Sequence, residues 1–238
     1  MKWTDSGIIL SSRLYGENSR IVSLLTPTYG RHAGLIRVPK SRSQLNIEAG
    51  TFVDASWNAR LPEHLGQWSL ETTAAMGARL LFLPTALTAL SSACSLTDQC
   101  LAERHPYPHL FDHLKQLIQD LAESPQSLTS YVNYELALLK ELGFGLDLSV
   151  CAATGQNHDL CYISPKSGRA VSQNAGEPYK TQLLPLPQYW VDDTAAPDIR
   201  SSLAVTGYFL GQHLTQHKGF PQSRERLMEI VIRSFHKS

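Results

Sequence analysis

Six basic residues, Arg13, Arg20, Arg31, Arg37, Lys40 and Arg42, fall in a stretch whose only acid is Glu17. Cations at this density meet phosphate oxygens. Tyr15 and Tyr29, in adjoining turns, offer rings on which unpaired bases stack, so the segment has the makings of a track for a single strand of nucleic acid. A second reading treats the same charges as solvated strand-edge residues that discourage edge-to-edge pairing. Charge alone leaves both open. Near the end of the chain Arg224, Arg226, Arg233, Lys237 and Lys218 oppose Glu225 and Glu229 in a second, weaker patch. Its Arg226, Arg233 and Lys237 share one helical stripe, opposite Leu227, Ile230, Val231 and Ser234. The alternative is a solvated helix face with Glu229 and Arg233 as an i,i+4 pair.

The signatures of bond-making chemistry are absent. No Gly-x-x-x-x-Gly-Lys-[Ser/Thr] cradle for a nucleoside triphosphate occurs, and Gly143-Phe144-Gly145 lacks the third glycine of a dinucleotide loop. There is no His-Glu-x-x-His and no Gly-x-Ser-x-Gly. His105, His109 and His113 have the spacing of a metal ladder, but Pro106 and Pro108 interrupt it and predict a loop leading into a helix. Cys161 beside His158 and Asp159 is adjacency along a chain, which is not geometry.

Composition sets further bounds. The 238 residues carry 21 Lys+Arg against 21 Asp+Glu, which excludes a uniformly basic nucleic-acid glue and makes any charge-driven function local. With 42% hydrophobic and 18% charged residues the chain has enough apolar content for a sizeable core. Four cysteines are too few for a disulfide scaffold, and Cys94 and Cys100 sit in an apolar helical pattern as small buried thiols. No apolar run approaches the ~18 residues of a membrane span, and no signal-peptide core follows Met1, so a cytoplasmic protein is expected.

The elements that must position these residues change type along the chain. Ile8–Leu14, Ser19–Thr26, Arg31–Val38, Thr51–Trp57 and Gln67–Thr73 read as five strands separated by turn formers, the material of a small antiparallel barrel or sandwich. In the last, Trp68, Leu70 and Thr72 alternate with Gln67, Ser69 and Glu71, one face for a core and one for water. From Pro84 the period becomes helical. Helices are expected over about 85–103, 110–121, 128–142, 198–216 and 222–237, and Leu110, Leu114, Leu117, Ile118 and Leu121 fall on one helix face. Residues 146–196 hold most of the remaining Gly, Pro, Asn and Asp and read as a small loop-rich insert. Strands first and helices afterwards favour an α+β chain over alternating parallel α/β.

The segment from Gly7 to Arg37, with Arg13, Ser19-Arg20, Leu25-Thr26 and Gly30-Arg31-His32-Ala33-Gly34, resembles the start of the RecO family of recombination mediators. Gly143-Phe-Gly-Leu-Asp-Leu148 and Ser164-Pro-Lys-Ser-Gly-Arg-Ala-Val171 agree with it. The resemblance implies an N-terminal OB-fold barrel over 1–80 and a helical domain over 81–145 and 197–238, interrupted by a zinc-ribbon-like insert over 146–196. It implies a non-enzymatic mediator of DNA repair and recombination, without cofactor. Such a mediator binds single-stranded DNA, anneals strands and helps load recombinase onto DNA covered by single-strand-binding protein. Its implied partners are RecR and the acidic, hydrophobic C-terminal tail of the single-strand-binding protein, and a monomer is expected. Arg13, Arg20, Arg31, Arg37, Lys40 and Arg42 would hold phosphates, Tyr15 and Tyr29 would stack on bases, and Arg224, Arg226 and Arg233 would form an auxiliary patch. A reading of another class is an interaction adaptor with a structural barrel and little DNA affinity.

The insert departs from the metal-binding members of that family. Their two Cys-x-x-Cys pairs fall here on Cys151 and Thr154 and on Ser172 and Ala175, so three of four thiolates are missing. A bound metal is therefore not expected, and packing of Leu160, Tyr162, Ile163 and Val171 should hold the insert. The one salvage set is Cys151, His158 and Cys161.

Overall fold

The alternation of apolar and polar residues in the first third closes a five-stranded barrel in the computed structural model, which describes residues 1–37, 47–61, 63–80, 82–124, 127–214 and 219–235. Its strands are β1 (Lys2–Leu14), β2 (Ser19–Thr26), β3 (Gly30–Arg37), β4 (Phe52–Asn58) and β5 (Gln67–Ala74), in the order β1-β2-β3-β5-β4. β1 is longer than its sequence pattern indicates because it serves two partners in succession. It pairs with β4 from Lys2↔Asn58 to Ile8↔Phe52, and with β2 from Ile8↔Leu25 to Leu14↔Arg20. A register shift between Ile9 and Ser11 marks the irregularity that lets one strand bend between two sheet directions. The parallel bridge Leu35↔Gln67 joins β3 to β5 and completes the OB topology.

The barrel interior is unusually aromatic. Trp3, Trp57 and Trp68 are buried with Ile9, Val22, Leu24, Ile36 and Val53, and burying each large apolar side chain contributes about 1.5–3 kcal/mol. Gly34 makes the arrangement possible: a Cβ there would lie 2.6 Å from the Trp68 ring, whose Nε1 donates to the Val22 carbonyl at 3.1 Å.

The helices follow: α1 (Met76–Arg79), α2 (Pro84–Cys100), α3 (Pro108–Glu123) and α4 (Thr129–Glu141). Proline stands in the first turn of α2 and of α3, where its missing N–H costs nothing. Ala86, Ala89, Ala93 and Cys94 give α2 a small-residue face that is fully buried, and the helix packs on β1. In α3 the expected stripe of Leu110, Leu114, Leu117, Ile118 and Leu121 is buried, with Phe111 added. In α4 a carboxylate is buried as well. Glu135 accepts a hydrogen bond from Tyr131 Oη at 2.7 Å and another from the Thr206 hydroxyl.

The insert has more structure than its composition suggests. β6 (Leu160–Ile163), β7 (Ala170–Ser172) and β8 (Leu184–Pro185) form a sheet in the order β7-β6-β8, with α5 (Gln173–Gly176) and two short 3-10 turns beside it. Leu160, Ile163 and Val171 are buried in it. α6 (Ile199–Leu214) and α7 (Gln222–Phe235) end the described chain. Two compact units result, Met1–Ser130 with Pro221–Leu227, and Tyr131–Phe220 with Met228–Ser238. Among the described residues no helix is long and apolar enough to cross a membrane.

Candidate nucleic-acid interface

Strand register decides which of the basic residues share a surface. Arg13 lies opposite Ile21, Ile21 opposite Leu35, and Ser19 opposite Arg37, so Arg13 and Arg37 occupy one face of β1-β2-β3, roughly 10–12 Å apart by strand spacing. Both are exposed, and their guanidinium groups have no hydrogen-bond or ion-pair partner among the described residues. The same face continues through Ser11, Ser23 and Arg31, where α2 covers it. There Arg31 donates to the Leu101 carbonyl at 2.9 Å and pairs with Asp98 at 3.2 Å and Glu103 at 3.4 Å. Its charge is spent inside the protein.

The other expected residues divide similarly. Arg20, opposite Leu14 and Ile36, lies on the barrel-interior face at its rim and donates to Ser12 Oγ at 2.7 Å. Tyr15 is 58% exposed at the β1-β2 turn. Tyr29 instead stacks flat on Trp3, with ring centroids 4.0 Å apart, and serves the barrel core. Arg224 is buried, Arg226 is exposed, and Arg233 pairs with Glu229 at 3.4 Å. Lys40, Arg42, Lys218 and Lys237 lie outside the described residues.

Beside the open end of this face is a hollow of about 630 Å³ between the β1-β2 and β4-β5 turns. Tyr15, Asn58, Arg60, His64, Leu65 and Gln67 line it. Its far wall is anchored at several points. Trp57 Nε1 donates to the Leu65 carbonyl at 3.2 Å, the Leu35 amide to the Gly66 carbonyl at 3.0 Å, and the Arg104 guanidinium to the carbonyls of Glu63 and His64 at 3.1 and 3.2 Å. Gly66 sits at φ +68°, and a Cβ there would meet Trp57 at 2.4 Å, so only glycine lets the turn lie on the indole. Arg60 and His64 were invisible as site residues in the sequence. They fall in a run of turn formers, and only closure of the barrel brings that run beside Tyr15.

Two titrating groups are strongly perturbed by their own surroundings. His32, enclosed by Trp3, Trp57 and Trp68, has its pKa lowered to about 4 by burial and secondarily by the Arg104 charge. In the insert, burial opposes ionisation of Cys151, but hydrogen bonds from the side chains and amides of Ser172 and Thr154 outweigh it and lower the thiol to about 6. The Ser172 amide approaches Cys151 Sγ at 3.2 Å.

The positions around Cys151 are those where a zinc ribbon would place thiolates, and the donor chemistry does not fit the metal. Hydroxyls and amides that donate to sulfur occupy the space where ligands would have to accept a cation. In the salvage set, His158 is turned to Asp159 at 3.0 Å and Cys151 Sγ accepts from the Ser172 amide at 3.2 Å.

A closed five-stranded OB barrel with a partly open basic face, followed by helices and a small three-stranded insert, defines an α+β protein of the OB-barrel class. Its relatives narrow that class. Residues 1–75 match the family model described as Recombination protein O N terminal, and residues 83–219 match Recombination protein O C terminal. The chain is 46% identical to the DNA repair protein RecO of Rhodospirillum centenum over 236 residues, covering 96% of this chain and 94% of that protein. It is 43% identical to the RecO of Bartonella quintana, with 99% of each chain covered, and 40% identical to that of Sinorhizobium medicae, with 95% and 92% covered. The chain belongs to the RecO family of DNA repair and recombination proteins.

Proposed function

We propose that this protein binds single-stranded DNA on its barrel, anneals strands and helps load recombinase onto DNA covered by single-strand-binding protein. The observation that carries the reading is the pair of free guanidinium groups, Arg13 and Arg37, on the part of the β1-β2-β3 face that α2 leaves open. With Arg20 at the rim and Arg60 at the neighbouring turn, they form a track for about four phosphates. Arg31, Tyr29 and Arg224 are left out of that track because internal partners, ring stacking and burial occupy them. Arg226 and Arg233 remain the auxiliary contacts. The work is binding rather than bond-making, and RecR and the acidic tail of the single-strand-binding protein are the partners expected of it.

One observation favours the adaptor reading. Leu14, Leu61 and Leu65 are exposed at the same end of the barrel, as an apolar protein contact would be. A fluorescence-anisotropy titration of labelled single-stranded oligonucleotide at two salt concentrations separates the two. Four neutralised phosphates give a slope of roughly −3 in log affinity against log salt. A flat response, or no binding, overturns the DNA-binding reading and leaves the adaptor.

A further inference from the structure

The barrel has one thin seam. β3 meets β5 through the single pair Leu35↔Gln67, whereas every other seam is paired along most of a strand. The connector between α2 and α3 is bound to β3 by the parallel bridge Arg31↔Glu103 and by the Arg104 amide, which donates to the Arg31 carbonyl at 2.8 Å. From there the Arg104 side chain reaches the β4-β5 turn, where Nη2 alone donates to two successive carbonyls, Glu63 at 3.1 Å and His64 at 3.2 Å. The backbone at Arg104 is left-handed, with φ +61°, a conformation that costs energy in any residue with a Cβ. Backbone preference alone would put glycine there, so what arginine adds is its side chain.

We infer that Arg104 is a positioning residue: by clasping the Glu63 and His64 carbonyls from the α2-α3 connector, it fixes the β4-β5 turn and so places Arg60 and His64 for phosphate. Both of these side chains are exposed in the hollow beside Tyr15. Arg60 has no partner of its own among the described residues, so its place depends on the backbone of the turn that carries it. The other bonds to that turn, from the Leu35 amide and Trp57 Nε1, come from the barrel itself. Arg104 alone among these donors ties the turn to the helical part of the chain. A turn held before the ligand arrives loses less freedom on binding. The inference rests on the DNA-binding reading above, and Arg104 acts through Arg60 and His64 rather than on the strand.

The test uses the full chain with Arg104→Ala, Arg104→Gly, Arg60→Ala and the double variant Arg60→Ala/Arg104→Ala. Each is read by amide hydrogen exchange without DNA and by titration of a labelled single-stranded oligonucleotide at one fixed salt concentration. Thermal melts verify the fold, and Arg104→Gly removes the clasp while relieving the left-handed backbone, so it serves where Arg104→Ala is unstable. Exchange at the Leu35 and His64 amides, which donate to the Gly66 and Leu61 carbonyls, should quicken about ten-fold in both Arg104 variants, while the β1-β2 ladder keeps its wild-type rates. Both variants should weaken oligonucleotide binding, and in the double variant the losses should not multiply. Wild-type exchange at Leu35 and His64 in both Arg104 variants overturns the inference. Faster exchange throughout the barrel does so too, since Arg104 would then only stabilise the fold. Wild-type affinity in Arg104→Gly would leave a backbone role alone, and losses that multiply would mean independent contact with the strand; either result overturns positioning. If the wild type binds no oligonucleotide, the DNA-binding reading falls and the positioning role with it.

Discussion

Arg31 on β3 and Asp98 near the end of α2 form an ion pair at 3.2 Å with side chains only 18% and 25% exposed. Asp98 also accepts hydrogen bonds from Ser11 Oγ at 2.7 Å and Ser23 Oγ at 2.6 Å, so one carboxylate ties three strands of the barrel to a helix. Replacing it as Asp98→Ala leaves Arg31 with Glu103 and the Leu101 carbonyl, removes its closer ion pair and deprives two hydroxyls of their acceptor, and stability should fall by about 1–3 kcal/mol. Urea unfolding measures this. A change within error of zero would mean the helix holds to the barrel by apolar packing alone.

Charge reversal should therefore act differently at Arg31 than at Arg13 and Arg37 of the same face. Arg31→Glu places a third carboxylate against Asp98 and Glu103 and should lower the melting temperature before it alters any binding surface. Arg13→Glu with Arg37→Glu should leave the melting temperature within a few degrees. It should weaken oligonucleotide binding and make the salt slope shallower by about 0.7 for each phosphate that is no longer neutralised. Unchanged affinity and slope in the double variant would remove the phosphate track from this face.

Acid should loosen the barrel through His32. Its pKa is about 4 in the folded protein against an ordinary value of 6.5, so the unfolded chain takes up the proton first. The stability that neutral His32 preserves is complete above pH 6.5, declines as pH falls, and is lost by about pH 4, a change of about 3 kcal/mol. His32→Phe, which suits a cage of three tryptophans, should flatten the stability profile across that window. A variant whose profile keeps the wild-type slope would assign the acid sensitivity to other groups.

The insert should behave as a metal-free fold with an ionised thiol. The thiolate absorbance of Cys151 should appear around pH 6, and Ser172→Ala combined with Thr154→Val should move it upward by removing donors to sulfur. Because the folded thiol ionises more readily than the unfolded one, its contribution to stability is full above the ordinary thiol value of 9.0. That contribution falls as the unfolded thiol protonates and is gone below about pH 6. Elemental analysis should find no stoichiometric zinc, and added zinc should not raise the melting temperature. A stoichiometric zinc signal that disappears in Cys151→Ala would contradict the hydrogen-bonded arrangement.

Periodicity alone was enough for most elements, because burial of one face writes itself into the spacing of apolar residues. The Leu110 to Leu121 stripe became the buried face of α3, and Trp68 and Thr72 alternate with exposed neighbours on β5 as their pattern requires. The missing thiolates at Thr154, Ser172 and Ala175 were likewise plain in the sequence, since ligand chemistry is a property of residue type. Spacing could not show that β1 starts at Lys2, because its first half takes its partner from β4, some fifty positions along the chain.

The interface was legible as a basic run but not as a surface. Arg13, Arg31 and Arg37 are alike in sequence, yet the helix laid over one end of their face pairs Arg31 internally and leaves the other two to solvent. Tyr15 and Tyr29 both flank strands, and only the position of Trp3 turns one of them into core. Arg60 and His64 join Tyr15 because β5 closes on β3 and returns the intervening turn to the first one. Residue type fixes the chemistry a side chain has to offer, whereas its freedom to use that chemistry depends on partners distant in the chain, and those are chosen only when the barrel closes.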